Sequence, residues 1–202
     1  DASILLVTGP GHGAAANLAN MYIEGSLTEF YPDLTPDKAG LEQFVKRFSW
    51  PEGFPSHLNP ALPGVIHEGG ELGYALATAF GAALDNPELI VACIVGDGEA
   101  ETGPTAGAWH SNKFLSPATD GAVLPILHLN QFKIASPTIY GTMTKEELEA
   151  LFIGYGYSVH LVDYGERIHA DLDAAFMSAY NEIRDLQKLS RSGQQPKRPR
   201  WP

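Results

Sequence analysis

The residues able to do chemistry in this chain sit in three short stretches, each directly after an apolar run. Gly9-Pro10-Gly11-His12-Gly13 follows residues 4–8, Gly96-Asp97-Gly98-Glu99 follows residues 89–95, and Asn130-Gln131-Phe132-Lys133 follows residues 124–129. Two glycines around an aspartate let the backbone approach a bulky anion, and a helix opening near Pro104 aims its free N–H groups toward the same point. A hard divalent cation such as Mg²⁺ takes about six oxygen ligands, commonly a carboxylate, an amide or main-chain carbonyl, water and the oxygens of a phosphorylated ligand. Asp97 and Asn130 could supply the first two, with the Phe132 carbonyl as a third. A diphosphate and water would then complete the shell. Gly-Asp-Gly alone is a weak motif, most often a plain turn, and the asparagine after the next apolar run is what raises it to a ligand-binding pattern.

Of two other phosphate-binding patterns, one is absent and the other is reduced to a minor option. No Gly-x-x-x-x-Gly-Lys-Ser/Thr string occurs, and Gly9-Pro10-Gly11-His12-Gly13 departs from the nicotinamide-type Gly-x-Gly-x-x-Gly by a proline in the first turn and a misplaced third glycine.

The elements that must position these stretches alternate between strand and helix. Residues 4–8, 89–95, 124–129 and 157–162 read as strands, and the unbroken apolar run 89–95 predicts burial on both faces of a parallel sheet. Residues 14–22, 37–48, 70–84, 104–114, 145–154 and 170–189 read as helices, and 49–63, with its four prolines, as a loop. The pattern predicts an α/β fold: a doubly wound, mostly parallel sheet with helices on both faces. In such a sheet ligands bind at the carboxyl ends of the strands, where the three stretches lie. The spacing gives one domain over 1–189 and a basic, Pro-rich tail over 190–202.

Composition narrows the function. Of 202 residues 24 are acidic and 13 basic, for a formal charge of −11, which argues against nucleic acid or an anionic membrane as partner. Six of the basic residues fall at or after Arg184, leaving a balance of −16 over the first 183 residues, so the basic end is a local feature and reads as a solvated or interface-bound segment. The lone Cys93 excludes an intrachain disulfide and fits a reducing, cytoplasmic setting. No apolar run approaches the ~18 residues a membrane-spanning helix requires. The chain opens on Asp1 without an initiator methionine and closes on Arg200-Trp201-Pro202, which reads as a piece of a longer polypeptide.

The finer wording carries a family resemblance. Gly96-Asp97-Gly98 with Asn130 after the next strand resembles the diphosphate-and-metal motif of thiamine diphosphate enzymes. Gly-Asp-Gly-Glu-Ala-Glu-Thr-Gly-Pro at 96–104, Trp109-His110-Ser111-Asn112-Lys113-Phe114 and Leu124-Pro125-Ile126-Leu127-His128-Leu129-Asn130 resemble the phosphoketolases in particular. Gly9-Pro10-Gly11-His12-Gly13, Pro55-Ser56-His57-Leu58-Asn59-Pro60 and His67-Glu68-Gly69-Gly70-Glu71-Leu72-Gly73-Tyr74 match the same family, so the likeness runs from the first residues to about Val162. It implies a thiamine diphosphate-binding fold and a lyase that splits xylulose 5-phosphate or fructose 6-phosphate with inorganic phosphate into acetyl phosphate and an aldose phosphate.

The resemblance also implies a set of site residues. Asp97, Asn130 and the Phe132 carbonyl would hold Mg²⁺; Gly96, Gly98 and Glu99 would line the diphosphate; Gly70 and Leu72 would meet the aminopyrimidine, and Ile134 would pack on the thiamine. His12 and His57 are expected as catalytic histidines, since imidazole both donates and accepts protons near neutral pH. His67 and His128 are candidates for facing the cleft; His110, His160 and His169 are read as structural or solvated. Glu101 is expected to cap a helix start, and Lys133 is left between phosphate binding and plain surface. Where many thiamine enzymes carry two adjacent asparagines this chain has Asn130-Gln131, which leaves the metal role on Asn130 and fits phosphoketolase better than transketolase.

The glutamate that activates thiamine diphosphate belongs, in this class, to a second domain, normally across a dimer interface, and no segment here resembles that domain. The expectation is therefore a cofactor-binding portion of a homodimeric enzyme, catalytically silent by itself, a weak cofactor binder, and with an apolar dimer-facing surface. Two alternatives stand beside it: a transketolase-like enzyme passing a two-carbon unit to an aldose, and a non-catalytic thiamine-binding module.

Overall fold

Ser3–Thr8 (β1), Leu89–Gly96 (β2) and Ala122–His128 (β3) pair in parallel in the order β1-β2-β3, with Thr8 opposite Ile94 and Gly96 opposite His128. All three strands therefore end at one edge, and the three chemistry-bearing stretches open there. The computed structural model describes residues 3–194 and 199–202; of the expected tail, residues 195–198 lie outside the described residues.

Helices Ala14–Glu24 (α1), Ser26–Phe30 (α2), Lys38–Arg47 (α3) and Ala75–Ala83 (α4) lie between β1 and β2 in the chain. α4 is almost all small residues, so its backbone comes close to the sheet, and Ala75, Leu76, Ala79, Phe80 and Ala83 bury against Val7, Val91, Cys93 and Val95. Asp97–Ala100 (α5) and Gly103–Ala108 (α6) follow β2, and a short antiparallel hairpin, Phe132–Lys133 (β4) and Ser136–Pro137 (β5), follows β3. Lys145–Tyr155 (α7) starts on a capping box between Thr144 and Glu147, and Ile168–Arg191 (α8) closes the series. A parallel sheet flanked by helices is the expected α/β fold. A second apolar cluster lies outside the sheet core, where α1, α2, α3 and the proline-rich loop bring together Leu18, Leu27, Phe44, Phe54, Leu58 and Leu62.

Four expectations differ in detail. Residues 157–162 form no strand: Tyr157 alone makes a bridge, parallel to Trp201, with Ser158 N donating to Trp201 O at 2.8 Å. A strand needs a paired neighbour, and beyond Ser158 these residues have no ladder partner among the described residues. Trp201 is itself buried in the sheet core. The helix expected from Gly70 begins only at Ala75, because Gly73 has φ +113°, which no right-handed helix accommodates. The helix expected over 104–114 is α6 followed by a tighter 3₁₀ turn, Trp109–Lys113. Finally, β2 is not evenly buried on its two faces: Val91, Cys93 and Val95 are buried on one, while on the other Ile90 is buried and Ala92 and Ile94 only half-buried, and on β1 Ile4 and Leu6 stay 68% and 49% exposed. Among the described residues no helix is long and apolar enough to cross a membrane.

Candidate functional site

Asp97 stands at the carboxyl end of β2 and is 3% exposed. Its Oδ2 accepts from Gln131 N at 2.7 Å and from the Thr138 hydroxyl at 2.9 Å, while among the described residues Oδ1 accepts only from Gly98 N at 3.0 Å. The carboxylate is thus fixed from the β3 side and retains unused acceptor capacity on Oδ1. Asn130 lies exposed on the neighbouring strand end, its Oδ1 accepting from Phe132 N at 2.9 Å. Among the described residues no three His, Cys, Asp or Glu side chains converge as a metal cluster. A cation here would be held by one carboxylate, neutral oxygens and the oxygens of its own ligand, which is the donor set Mg²⁺ prefers. Asp97 and Asn130 fit that set.

The glycine stretches interlock on the other side of Asp97. Gly11 and Gly69 touch backbone to backbone, so that a Cβ at Gly11 would overlap the Gly69 carbonyl. Leu58 N donates to Gly11 O at 3.0 Å and Gly69 N to Leu58 O at 2.7 Å, tying the segments around residues 11, 58 and 69 together. Gly96 lies against Pro10, where a Cβ would come within 3.1 Å of the proline ring. Glu99, 2% exposed, turns its carboxyl into this packing: Oε1 accepts from Gly73 N at 3.1 Å, and Oε2, with no partner, lies against Gly9. Burial pushes the Glu99 carboxyl above the ordinary glutamate range, against the opposing pull of the Gly73, Gly96 and Ala75 main-chain N–H groups.

His12 and His57 are both exposed and belong to segments joined by the Gly11–Leu58 bond. His57 Nδ1 lies 3.0 Å from Ser56 Oγ. Gly70 and Leu72 are exposed on the 69–74 loop, and Ile134 is fully exposed on the β4–β5 hairpin with φ +38°. His128 ends β3 at the same edge, exposed. His67 is 7% exposed with Nε2 unpartnered, and it lines a groove of ≈ 790 Å³ along the open edge of β1 rather than the strand-end crevice. Desolvation lowers its pKa, partly offset by a hydrogen bond to the Thr8 main chain and by the Glu68 charge. His110 packs edge-on against Tyr155, and His160 Nε2 lies 2.9 Å from a Glu182 oxygen, as structural histidines do.

One side chain departs from expectation. Glu101 makes no helix-capping bond; it pairs with Lys133 and accepts from Ile139 N at 2.5 Å, pinning the hairpin to α5. That pairing engages Lys133 as well. Sequence reasoning missed Thr138 and Thr105, both fully buried, the first on Asp97 and the second donating to Gly73 O at 3.0 Å. No motif flags them, since each acts through a fold-made contact 30 or more residues away.

The description XFP N-terminal domain matches residues 1–202 in full. The chain is 55% identical over 204 residues to a protein of Synechococcus elongatus named "Probable phosphoketolase", 55% to one of Rhodopirellula baltica with the same name, and 53% to "Probable phosphoketolase 2" of a Nostoc species. Each alignment takes in all of this chain and 26% of the relative, so the chain spans about a quarter of their length. Among solved structures, transketolase from Leishmania mexicana superposes with a TM-score of 0.67 at 21% identity over 86% of this chain and 26% of that one. Transketolase from Campylobacter jejuni gives 0.58 at 18% identity over 98% and 28%. These two likenesses establish the fold, and the full-length match with the high identity establishes the family: the chain belongs to the XFP N-terminal domain family, that of the phosphoketolase N-terminal domains.

Proposed function

We propose that this chain is the cofactor-binding part of a thiamine diphosphate- and Mg²⁺-dependent phosphoketolase that cleaves xylulose 5-phosphate, fructose 6-phosphate or both with inorganic phosphate, giving acetyl phosphate and an aldose phosphate. The observation that carries this reading is Asp97: a buried carboxylate at a strand end, fixed by Gln131 N and Thr138, with Asn130 beside it on the next strand end. In this reading Asp97, Asn130 and the Phe132 carbonyl hold the metal. Gly96, Gly98 and the main chain of Glu99 line the diphosphate, Gly70 and Leu72 meet the aminopyrimidine, and Ile134 packs on the thiamine. When bound, thiamine diphosphate supplies the electron sink for breaking the C2–C3 bond of the ketose.

The chain's own share is binding, orientation and proton transfer. The Ser56 hydroxyl, engaged with His57 Nδ1, orients the imidazole and leaves Nε2 to exchange a proton with a substrate hydroxyl. His12, on the Gly11–Gly13 turn, also exchanges a proton with the substrate, without such an orienting hydroxyl among the described residues. The activating glutamate, the remaining domains and the partner of a cytoplasmic homodimer complete the enzyme, and the isolated chain is catalytically silent and a weak cofactor binder.

The test is calorimetric titration of the full-length protein with thiamine diphosphate and Mg²⁺, beside Asp97→Ala. Binding that the substitution abolishes is the expected result; equal binding in both proteins would sink the assignment of the metal site. Acetyl phosphate formation from xylulose 5-phosphate and phosphate separates this activity from two-carbon transfer to an aldose. Acetyl phosphate formed by the isolated 202-residue chain would overturn its silence.

A further inference from the structure

We propose that the Glu99 side chain is a positioning group that clamps the 69–74 loop onto the 97–105 segment, setting where Gly70 and Leu72 stand without touching the cofactor itself. This role rests on the cofactor reading above. Electrostatics explains why the side chain is turned inward. A diphosphate beside Asp97 already meets one carboxylate, and a second one facing the same anion would add repulsion without a counter-charge. Glu99 avoids that arrangement, being 2% exposed in a face where Gly70, Leu72 and Asn130 are open.

Gly73 is the gripped residue. Its N–H donates to Glu99 Oε1 at 3.1 Å and its carbonyl accepts from Thr105 Oγ1 at 3.0 Å, so both of its main-chain groups are held by the segment that follows β2. Thr102 braces the grip, donating to Glu99 O at 2.7 Å and lying 3.1 Å from Thr105 Oγ1. The left-handed φ of Gly73, +113°, presents both groups to the clamp, and a side chain there would strike Thr102 Oγ1. At the other end of the loop Gly69 is fixed by its bond to Leu58 O and by its backbone contact with Gly11. Gly70, whose N–H donates to Glu68 Oε1 at 2.8 Å, Glu71 and Leu72 thus lie between two anchors, and the second is Gly73, held by Glu99 from its N–H and by Thr105 from its carbonyl. The unpartnered Oε2 packs on Gly9, so the same carboxyl also touches the first glycine stretch.

The experiment compares full-length wild type, Glu99→Ala, Glu99→Gln and Thr105→Val by hydrogen exchange over residues 69–76 without cofactor, then by calorimetric affinity for thiamine diphosphate with Mg²⁺. Loss of one bond to a buried carboxyl is expected to speed exchange in Glu99→Ala about tenfold and to weaken cofactor affinity by a similar factor. Glu99→Gln, which keeps an acceptor oxygen for Gly73 N, should restore both. Unchanged exchange in Glu99→Ala, or a Gln variant as loose as the Ala variant, would overturn the clamp. If Glu99→Ala does not fold, Thr105→Val must loosen the same peptide from the carbonyl side, and unchanged exchange there also overturns it. Wild type that fails to bind thiamine diphosphate would defeat the cofactor reading alone, because the exchange comparison decides the clamp without it.

Discussion

The two rims of the crevice meet at Asp97 but are built by opposite means. The inner rim, from the stretches around Gly11, Gly69 and Gly73, is backbone against backbone, with Glu99 2% exposed and Thr105 fully buried beneath it. The outer rim is the β4–β5 hairpin, two residues per strand, with Phe132 62% exposed and Ile134 wholly so. It is held by the Lys133–Glu101 pair, the Ile139 N–Glu101 bond and the bonds of Gln131 and Thr138 to Asp97. The difference teaches where ordering is already complete. Groups fixed in advance cost a ligand nothing to immobilise, whereas an uncovered apolar hairpin gains its packing only when something binds over it.

The largest effect expected from breaking this contrast is at Gly11. A methyl group there would overlap the Gly69 carbonyl, a main-chain atom that cannot swing aside, so Gly11→Ala should destabilise the protein by about 3 kcal/mol or more. Gly81→Ala, in α4 with nothing within 4 Å of the added carbon, should instead stabilise by about 0.5–1 kcal/mol. Urea unfolding of the two variants reads both. Equal costs would mean that close contact is not what orders the inner rim.

An intermediate effect is expected at His67, beside the inner rim on the open edge of β1. Burial lowers its pKa, so the fold favours the neutral ring while the unfolded chain takes up a proton near the ordinary value of 6.5. The unfolded state then binds more protons below that value, and stability contributed by the neutral ring is lost as pH falls through 6.5 toward the lowered folded value. His67→Phe removes both the titration and the unpartnered Nε2, and should flatten this part of the stability curve. Unfolding free energies above and below that pH check it; parallel curves for the two proteins would rule His67 out as the source.

The contrast also marks what the amino-acid sequence could tell. The strand ends were legible because each couples an apolar run to glycine or asparagine chemistry, and a parallel sheet must bring such ends to one edge. Asp97 and Asn130 are proposed from ligand chemistry, and His12, His57, Gly70, Leu72 and Ile134 from family wording alone; the structure places all of them without testing their roles. Thr138 and Thr105 were illegible, because a hydroxyl reaching across the fold leaves no local spacing. Glu101 was misread for the same reason: an acidic residue near a helix start has a local explanation, and its ion pair with Lys133, 32 positions away, is visible only in space. Residues 157–162 failed differently. Their composition suits a strand, but pairing is a property of neighbours, and among the described residues Tyr157 bridges only to Trp201.

The smallest expected effect sharpens the outer rim. Ile134 is β-branched yet sits at φ +38°, a conformation that costs such a residue about 1–3 kcal/mol and survives where surrounding structure or function demands it. Its side chain is fully exposed, so no packing in this chain offsets that cost. Ile134→Gly should therefore raise stability by about 1 kcal/mol, the low end of the strain released, because glycine also adds freedom to the unfolded chain. If the isoleucine is kept for the thiamine, the same variant should bind thiamine diphosphate more weakly in calorimetry while unfolding at higher urea. A glycine variant that gains stability and binds the cofactor as wild type does would leave the strained isoleucine without a ligand-binding purpose. The inner rim would then be the only part of the crevice shaped in advance for the cofactor.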